Sequence, residues 1–286
     1  MSDRADDGPP RLGISPLWRL AVFVLASSVG VLGGRVLLPP VAARIEEATG
    51  VQLPTFVLTL CAGLLVGHWW TFRQVQPDGW RRVALDRAAL TLPAVLGGAA
   101  LGAAALGVPS LLLLAIGWLQ LEPMPPGNAW GAALATLAFL LPAALWEELA
   151  VRGYLLALLR ERFGARRAIG ATSLLFGLMH VENAGATLQS IAVVTLAGVF
   201  LGSIVVAMHS LYAAWAAHVA WNFVMAGLLH TSVSGIGMGT PNYRTIDAGP
   251  DWATGGPWGP EAGLFAAAGM VLAIYFLLRR HGRPRS

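Results

Sequence analysis

Long apolar stretches alternate with short polar connections along this chain, and most of the stretches are long enough to be membrane helices. A helix needs roughly 20 residues to cross about 30 Å of hydrocarbon. The pattern predicts about eight such segments, at residues 17–38, 52–72, 91–119, 129–159, 168–183, 187–208, 211–229 and 261–278. We therefore expect an all-α fold, a polytopic bundle of about eight transmembrane helices.

Arginines cluster in alternate connections, and this predicts how the bundle is oriented. The arginine-rich connections are the N-terminal tail, the loop at 73–87, the loop at 160–167 and the C-terminus at 279–285. The intervening connections carry few basic residues. Because arginine-rich loops tend to stay in the cytoplasm, the alternation predicts that both termini are cytoplasmic.

The sequence predicts a single domain with a short polar tail at each end. Residues 1–16 are polar and predict a disordered cytoplasmic tail, residues 17–278 a single transmembrane domain, and residues 279–286 a basic cytoplasmic tail. The connection at 230–260 is rich in glycine and proline and is too long for a plain connector. We expect it to fold partly back over the bundle.

Composition supports a membrane protein. Hydrophobic residues make up 56% of the chain and charged residues 12%, against about 25% charged residues in ordinary globular domains. The net charge of +4 comes from arginines between apolar segments, so we attribute it to topology and expect a lipid bilayer, not nucleic acid, as partner. The single cysteine, Cys61, excludes an intramolecular disulfide and a cysteine-rich metal site.

Polar side chains inside apolar segments are costly to bury, so they mark candidate functional residues. The candidates are Glu147, Glu148 and Arg152 in the fourth segment, His180 at the end of FGLMH in the fifth, and His218 and Asn222 in HVAWN of the seventh. His68 precedes Trp69 and Trp70 at a predicted membrane interface, where we expect it to belong to an aromatic belt.

Three predicted helices bring these groups to similar depths. Counted from the predicted cytoplasmic ends at about 1.5 Å per residue, Glu147 lies at about 17 Å and His180 at about 18 Å. On the same scale His218 lies at about 10 Å and Asn222 at about 16 Å. The agreement predicts one site within the membrane.

Helix geometry separates the two glutamates. Glu148 and Arg152 are four residues apart, on one helix face, and we expect them to form a structural ion pair. The side chain of Glu147 points about 100° away from that of Glu148 around the helix axis. Glu147 has no basic residue three or four positions later, so it is free to face His180 and His218.

A glutamate paired with a histidine can activate water for attack on a peptide carbonyl, while a second histidine and an amide stabilise the oxyanion. The alternative is a zinc site made of Glu147, His180 and His218, with an open position for water. The helical HExxH signature of many zinc proteases is absent. The residues leave these two mechanisms open, and both predict peptide hydrolysis within the bilayer.

Three motifs in order resemble the CPBP family of intramembrane endopeptidases, which includes the CAAX prenyl endopeptidases and bacterial immunity-type proteins. EELAVRG at 147–153 resembles its EExxxR motif, FGLMH at 176–180 its FxxxH motif, and HVAWN at 218–222 its HxxxN motif. The resemblance covers a core at about 130–225, and the stretch DWATGGPWGPE at 251–261 is similar to bacterial members.

The resemblance implies that Glu147 is the general base, acting with His180, and that His218 and Asn222 stabilise the oxyanion. The ion pair would then hold the local structure. Since the family has been described both as glutamic and as metal-dependent, zinc or another divalent metal stays open; we prefer a mechanism without one. We expect an integral protein of the bacterial inner membrane that cleaves a membrane-associated protein or peptide, prenylated or not.

Two other functions use similar residues. A non-catalytic scaffold or bacteriocin-immunity protein of the same fold would bind a peptide without cleaving it. A proton-coupled transporter would also bury glutamate and histidine. The transporter is disfavoured because no internal repeat is evident and the charges converge on one site instead of forming a path.

Overall fold

The computed structural model describes residues 14–239 and 241–281, with side chains up to residue 280, and it is mostly helical. The helices are α1 Pro16–Thr49, α2 Thr55–Gln74, α3 Gly79–Arg82, α4 Leu92–Ala115, α5 Ala129–Glu148, α6 Tyr154–Phe163, α7 Ala165–Leu178, α8 Leu188–Met208, α9 Leu211–Phe223, α10 Asp251–Thr254 and α11 Leu264–His281. Two π-helical turns follow α5 and α9, at Leu149–Gly153 and Val224–Leu229. The strands are β1 Leu119–Pro123 and β2 Tyr243–Asp247.

The predicted apolar segments and the observed helices coincide along the chain. Among the described residues, five helical stretches are long and apolar enough to cross a membrane: Pro16–Thr49, Thr55–Gln74, Leu92–Ala115, Ala129–Phe163 and Leu188–Met208. The other three predicted segments are also largely helical but are not among these five. The chain is an integral membrane protein, while the count of eight spans and the cytoplasmic position of both termini stay predictions.

The helix ends differ from the predicted boundaries in several places. α1 begins at Pro16, capped by the Ser15 hydroxyl, and continues to Thr49, past the predicted end at 38. α11 reaches His281, so residues 279–281 belong to this helix and not to a tail. The remainder of both predicted tails, at 1–13 and 282–286, lies outside the described residues.

A pair of short antiparallel strands is an addition to the mostly helical fold. Leu119 pairs with Asp247 at one end of the ladder, and Pro123 with Tyr243 at the other. Gly117, with a φ of 78°, follows the end of α4, so the helix stops before the predicted boundary at 119.

The second strand lies in the connection at 230–260. Trp258 of the same connection packs against Val151 and Phe176, so this connection folds partly back over the bundle, as expected.

Small residues allow close helix packing, as expected in lipid. A methyl group on Gly98 would lie 2.0 Å from the carbonyl oxygen of Ala213, and one on Gly102 would lie 2.0 Å from that of Ala217. This contact brings α4 against α9. Gly198 lets α8 approach Ser173 on α7 in the same way.

His68 is a buried hydrogen-bonding residue, which corrects the aromatic-belt interpretation. Its side chain is 0% exposed. Nδ1 donates to the Leu64 carbonyl oxygen at 2.8 Å, and Nε2 accepts from the backbone N–H of Tyr154 at 3.1 Å. A π turn leaves backbone groups without their usual helical partners. His68 accepts the hydrogen bond of one such group, the Tyr154 N–H that follows the turn.

We expect Gly153→Ala to destabilise the protein through His68. A methyl group at Gly153 would lie 2.4 Å from His68 Nε2, so the imidazole must move and leave the Tyr154 N–H unsatisfied. The free energy of unfolding should fall by about 1–3 kcal/mol, measured by thermal unfolding of the purified protein in detergent. Gly170→Ala is the control, since nothing lies within 4 Å of its added methyl group.

The destabilisation should shrink when Gly153→Ala is made in a His68→Ala background, since the two residues are in contact. Equal melting temperatures for Gly153→Ala and Gly170→Ala would show that His68 adjusts without cost.

Candidate active site

A buried ion pair lies where α5 passes into its π turn. Arg152 Nη1 donates to Glu148 Oε1 at 3.0 Å, and neither side chain is exposed. Arg152 Nη2 donates to the Gly198 carbonyl oxygen at 3.3 Å. The guanidinium carbon lies 4.1 Å from the centroid of the Phe176 ring. The charge of Arg152 is thus compensated by a carboxylate, a carbonyl and an aromatic face.

His218 connects the two glutamates. Its Nδ1 lies 2.9 Å from Glu148 Oε1, and its Nε2 lies 3.7 Å from Glu147 Oε2. Since a carboxylate accepts, Nδ1 carries the proton and donates to Glu148. Glu148 therefore orients a candidate catalytic histidine in addition to pairing with Arg152, a contact that was not predicted.

His180 is fixed by its own helix end. Its Nδ1 donates to the carbonyl oxygen of Phe176 at 2.7 Å, so Nε2 of the neutral ring is left as an acceptor. The Phe176 ring lies edge-on to both histidines, 4.8 Å from His180 and 6.0 Å from His218 between ring centroids. Phe176 therefore packs against both imidazoles and also covers the guanidinium of Arg152.

The four predicted catalytic residues line one cavity of about 580 Å³. They are Glu147 from α5, His180 just after α7, and His218 and Asn222 from α9. Glu147 also interacts electrostatically with both histidines. The remaining wall is mostly apolar and comes from α2, α5, α7, α8 and the segment after α9. The arrangement places acid–base groups beside a space that suits a short peptide segment with apolar side chains.

Sequence reasoning missed Glu261, which also lines the cavity. This residue is 6% exposed. Its Oε2 accepts from Trp221 Nε1 at 2.9 Å, and its Oε1 accepts from the backbone N–H of Ser234 at 2.7 Å and from the Ser234 hydroxyl at 2.8 Å. Trp221 precedes Asn222 on α9, so Glu261 ties the folded-back connection to the helix that carries two site residues.

The sequence carried only a weak signal for Glu261. It ends the stretch that is similar to bacterial family members, but an acidic residue in a Gly/Pro-rich connection is typical of a solvated loop. Its burial depends on contacts with residues 27 and 40 positions away.

We expect Glu261→Gln to lower the free energy of unfolding by about 1–3 kcal/mol. A carboxylate accepts from all three donors, whereas a glutamine turns an NH₂ group toward Trp221 or Ser234. The measurement is thermal unfolding in detergent, with Glu182→Gln as a control at an exposed position. In a Trp221→Phe background the penalty should shrink, because one donor is removed; an unchanged melting temperature in the single variant would contradict this role.

Glu147, His180 and His218 are the possible metal ligands at this site. Within residues 14–239 and 241–281, no three His, Cys, Asp or Glu side chains form a group that could hold a metal ion. Both candidate histidines use Nδ1 in hydrogen bonds to protein oxygens. The observed positions of Glu147, His180 and His218 thus do not form a three-ligand site.

Comparison with known families agrees with the motifs. Residues 129–224 match the Rce1-like family, described as type II CAAX prenyl endopeptidase Rce1-like. The match starts at the first residue of α5, ends just after α9, and includes all four candidate catalytic residues. No curated protein matches the chain. The resemblance to intramembrane endopeptidases is thereby confirmed over residues 129–224, which match the Rce1-like model.

Proposed function

We propose that this protein is an intramembrane endopeptidase that hydrolyses a peptide bond in a membrane-associated protein or peptide. One observation carries the proposal: Glu147, His180, His218 and Asn222 line a single cavity inside the helical bundle. The family match to residues 129–224 supports a protease. We place the protein in the bacterial inner membrane, as its resemblance to bacterial members suggests.

Water activation is assigned to Glu147 and His180. A water molecule between the Glu147 carboxylate and His180 Nε2 loses a proton to Glu147, and the hydroxide attacks the scissile carbonyl carbon. The carbonyl π electrons move to oxygen and form a tetrahedral oxyanion. Glu147, now protonated, delivers its proton to the amide nitrogen as the C–N bond breaks, which leaves a carboxylic acid and an amine.

Oxyanion stabilisation is assigned to His218 and Asn222. His218 donates from Nε2 in its doubly protonated form, held between Glu148 on one ring nitrogen and Glu147 near the other. The Asn222 amide supplies a second donor from one helical turn away. Glu148 and Arg152 act as positioning residues, since Glu148 holds His218, Arg152 holds Glu148, and neither lines the cavity.

Comparison of membrane proteomes tests the proposal. A strain that lacks the gene should accumulate uncleaved precursors, and expression of the wild-type protein should restore their cleavage. Glu147→Ala should insert normally and leave the precursors uncleaved. Full biological function of Glu147→Ala would instead establish a non-catalytic scaffold or immunity protein.

Metal dependence has its own test on the purified protein. Activity that is lost with a chelator and restored by stoichiometric zinc would replace water activation by Glu147 and His180 with a metal mechanism. Activity that persists after chelation, with no metal bound, would support the acid–base mechanism.

A further inference from the structure

A second set of hydrogen-bonded polar residues lines the cavity beside the four candidate catalytic residues. It consists of Asn183, Ser234 and Glu261. Asn183 Nδ2 donates to the Ser234 carbonyl oxygen at 3.0 Å, and the backbone N–H and hydroxyl of Ser234 both donate to Glu261 Oε1. Glu261 is therefore the acceptor at the end of this set.

Glu261 has the bonding pattern of an ionised carboxylate. It accepts three hydrogen bonds, two on Oε1 from Ser234 and one on Oε2 from Trp221 Nε1. The two oxygens of a carboxylate together offer about four acceptor positions. Since Oε2 has one partner within the protein and the residue lines the cavity, one acceptor position is left for a bound molecule.

The negative charge of Glu261 has no basic partner within the described chain. The ion pairs of the site join Glu148 to Arg152 and both adjacent glutamates to His218, and none of the ion pairs among the described residues includes Glu261. In the proposed mechanism the doubly protonated His218 compensates Glu147, and Arg152 compensates Glu148. Glu261 therefore leaves one negative charge at the cavity wall.

This carboxylate is held in place and is shielded from water. Glu261 is 6% exposed and lies in a 3₁₀ turn, Pro260–Ala262. Gln189 Nε2 donates to the Ala262 carbonyl oxygen at 2.9 Å, which ties the turn to α8. A buried carboxylate without a basic partner is costly, and ionisable groups of this kind mark substrate sites in membrane proteins.

We propose that Glu261 recognises a basic side chain of the substrate. The inference rests on the endopeptidase function proposed above and names its substrate class, an apolar peptide segment that carries a lysine or an arginine near the scissile bond. The ammonium or guanidinium donates to the open acceptor position of Glu261 and supplies the positive charge that the cavity lacks. The apolar part of the wall accommodates the neighbouring side chains. Glu261 thus sets specificity and has no step in water activation.

Cleavage of paired reporters tests this recognition. The probe is a set of single-span membrane reporters whose apolar segment carries one lysine, arginine, glutamine or glutamate at each position in turn. They are incubated with the wild-type protein in nanodiscs, and the products are analysed by mass spectrometry. We expect kcat/KM for the best basic reporter to exceed that of its glutamine counterpart by about 10–100-fold, with the basic residue at one fixed position relative to the cleaved bond.

Glu261→Gln should remove this difference by raising KM for the basic reporter, with little change in kcat, because a contact away from the reacting atoms is equally strong before and in the transition state. Ser234→Ala removes one hydrogen bond to Glu261 and keeps its charge, so this variant should retain the preference. Glu182→Gln, at an exposed position, is the control for loss of a carboxylate. All variants are compared below their melting temperatures. An equal loss of cleavage for basic and neutral reporters in Glu261→Gln, or a preference lost also in Ser234→Ala, would overturn the proposal.

Peptide binding to the Glu147→Gln protein tests the inference separately from hydrolysis. The probe is an apolar peptide with one central lysine, titrated in detergent beside its glutamine counterpart. The lysine peptide should bind about 10-fold more tightly or better, and the difference should disappear in Glu147→Gln/Glu261→Gln. Equal affinities for the two peptides would overturn the recognition of a basic side chain. Tighter binding of the lysine peptide, with no reporter cleaved by the wild-type protein, would support the recognition and reject the endopeptidase function.

Discussion

Glu147→Gln is expected to abolish peptide hydrolysis, with kcat lowered by roughly 10²–10⁴-fold, the usual contribution of a general base. Glutamine keeps the shape of the side chain but cannot take the proton from water. The Glu147 side chain lies on the cavity, with 19% of its surface exposed, so an amide there remains hydrated. The melting temperature should therefore stay near that of the wild type.

The measurement is single-turnover cleavage of a precursor identified in the deletion strain, by purified protein in lipid nanodiscs. Glu182→Gln, on the exposed turn after His180, serves as a matched control and should cleave at the wild-type rate. A Glu147→Gln protein that retains more than a tenth of wild-type kcat would remove Glu147 from the mechanism.

Arg152→Met should be the most destabilising single change, with a loss of about 3–5 kcal/mol in the free energy of unfolding. It leaves the Glu148 carboxylate in a fully buried position, with His218 as its remaining polar partner. The substitution also removes the hydrogen bond that Arg152 donates to the Gly198 carbonyl oxygen. Removal of both charges, in Glu148→Gln/Arg152→Met, should recover part of the loss because no uncompensated charge remains.

The matched control for this change is Arg244→Met. Arg244 pairs with Glu122 across the two strands, and both side chains are exposed, so the expected cost is at most about 1 kcal/mol. Denaturant titration in detergent, followed by far-ultraviolet circular dichroism, compares the variants. Equal midpoints for Arg152→Met and Arg244→Met would show that the buried pair does not hold the site.

The double variant also separates stability from catalysis. Glu148→Gln weakens the hydrogen bond that orients His218, so a refolded double variant should cleave more slowly than the wild type even where it is fully folded. Wild-type cleavage by that variant would show that His218 needs no support from Glu148.

The sequence predicted the membrane helices because their apolar runs are long and uninterrupted, and it predicted the site because polar residues inside such runs are rare. Glu147, His180 and His218 share the cavity in the structure, as their depths along separate helices had indicated. The spacing of Glu148 and Arg152 was enough to predict their contact, since both residues lie on one helix.

Contacts between distant parts of the chain could not be predicted in the same way. The bond between His218 and Glu148 joins residues 70 positions apart. β1 and β2 pair across an even larger separation, and each strand is too short to show a clear alternation of apolar and polar residues. His68 was misinterpreted because its neighbours Trp69 and Trp70 are exposed, while its own side chain faces the π turn of another helix.

That π turn divides one membrane crossing into two parts with different partners. It holds one residue more than an α-helical turn, which acts as a one-residue insertion and shifts the later helix face by about 100°. Before the shift, α5 directs Glu147 to the cavity. After it, Tyr154 packs with Phe23 and Phe72 in a separate aromatic cluster. The direction of the Glu147 side chain is therefore set independently of the contacts that hold the other end of the same helix.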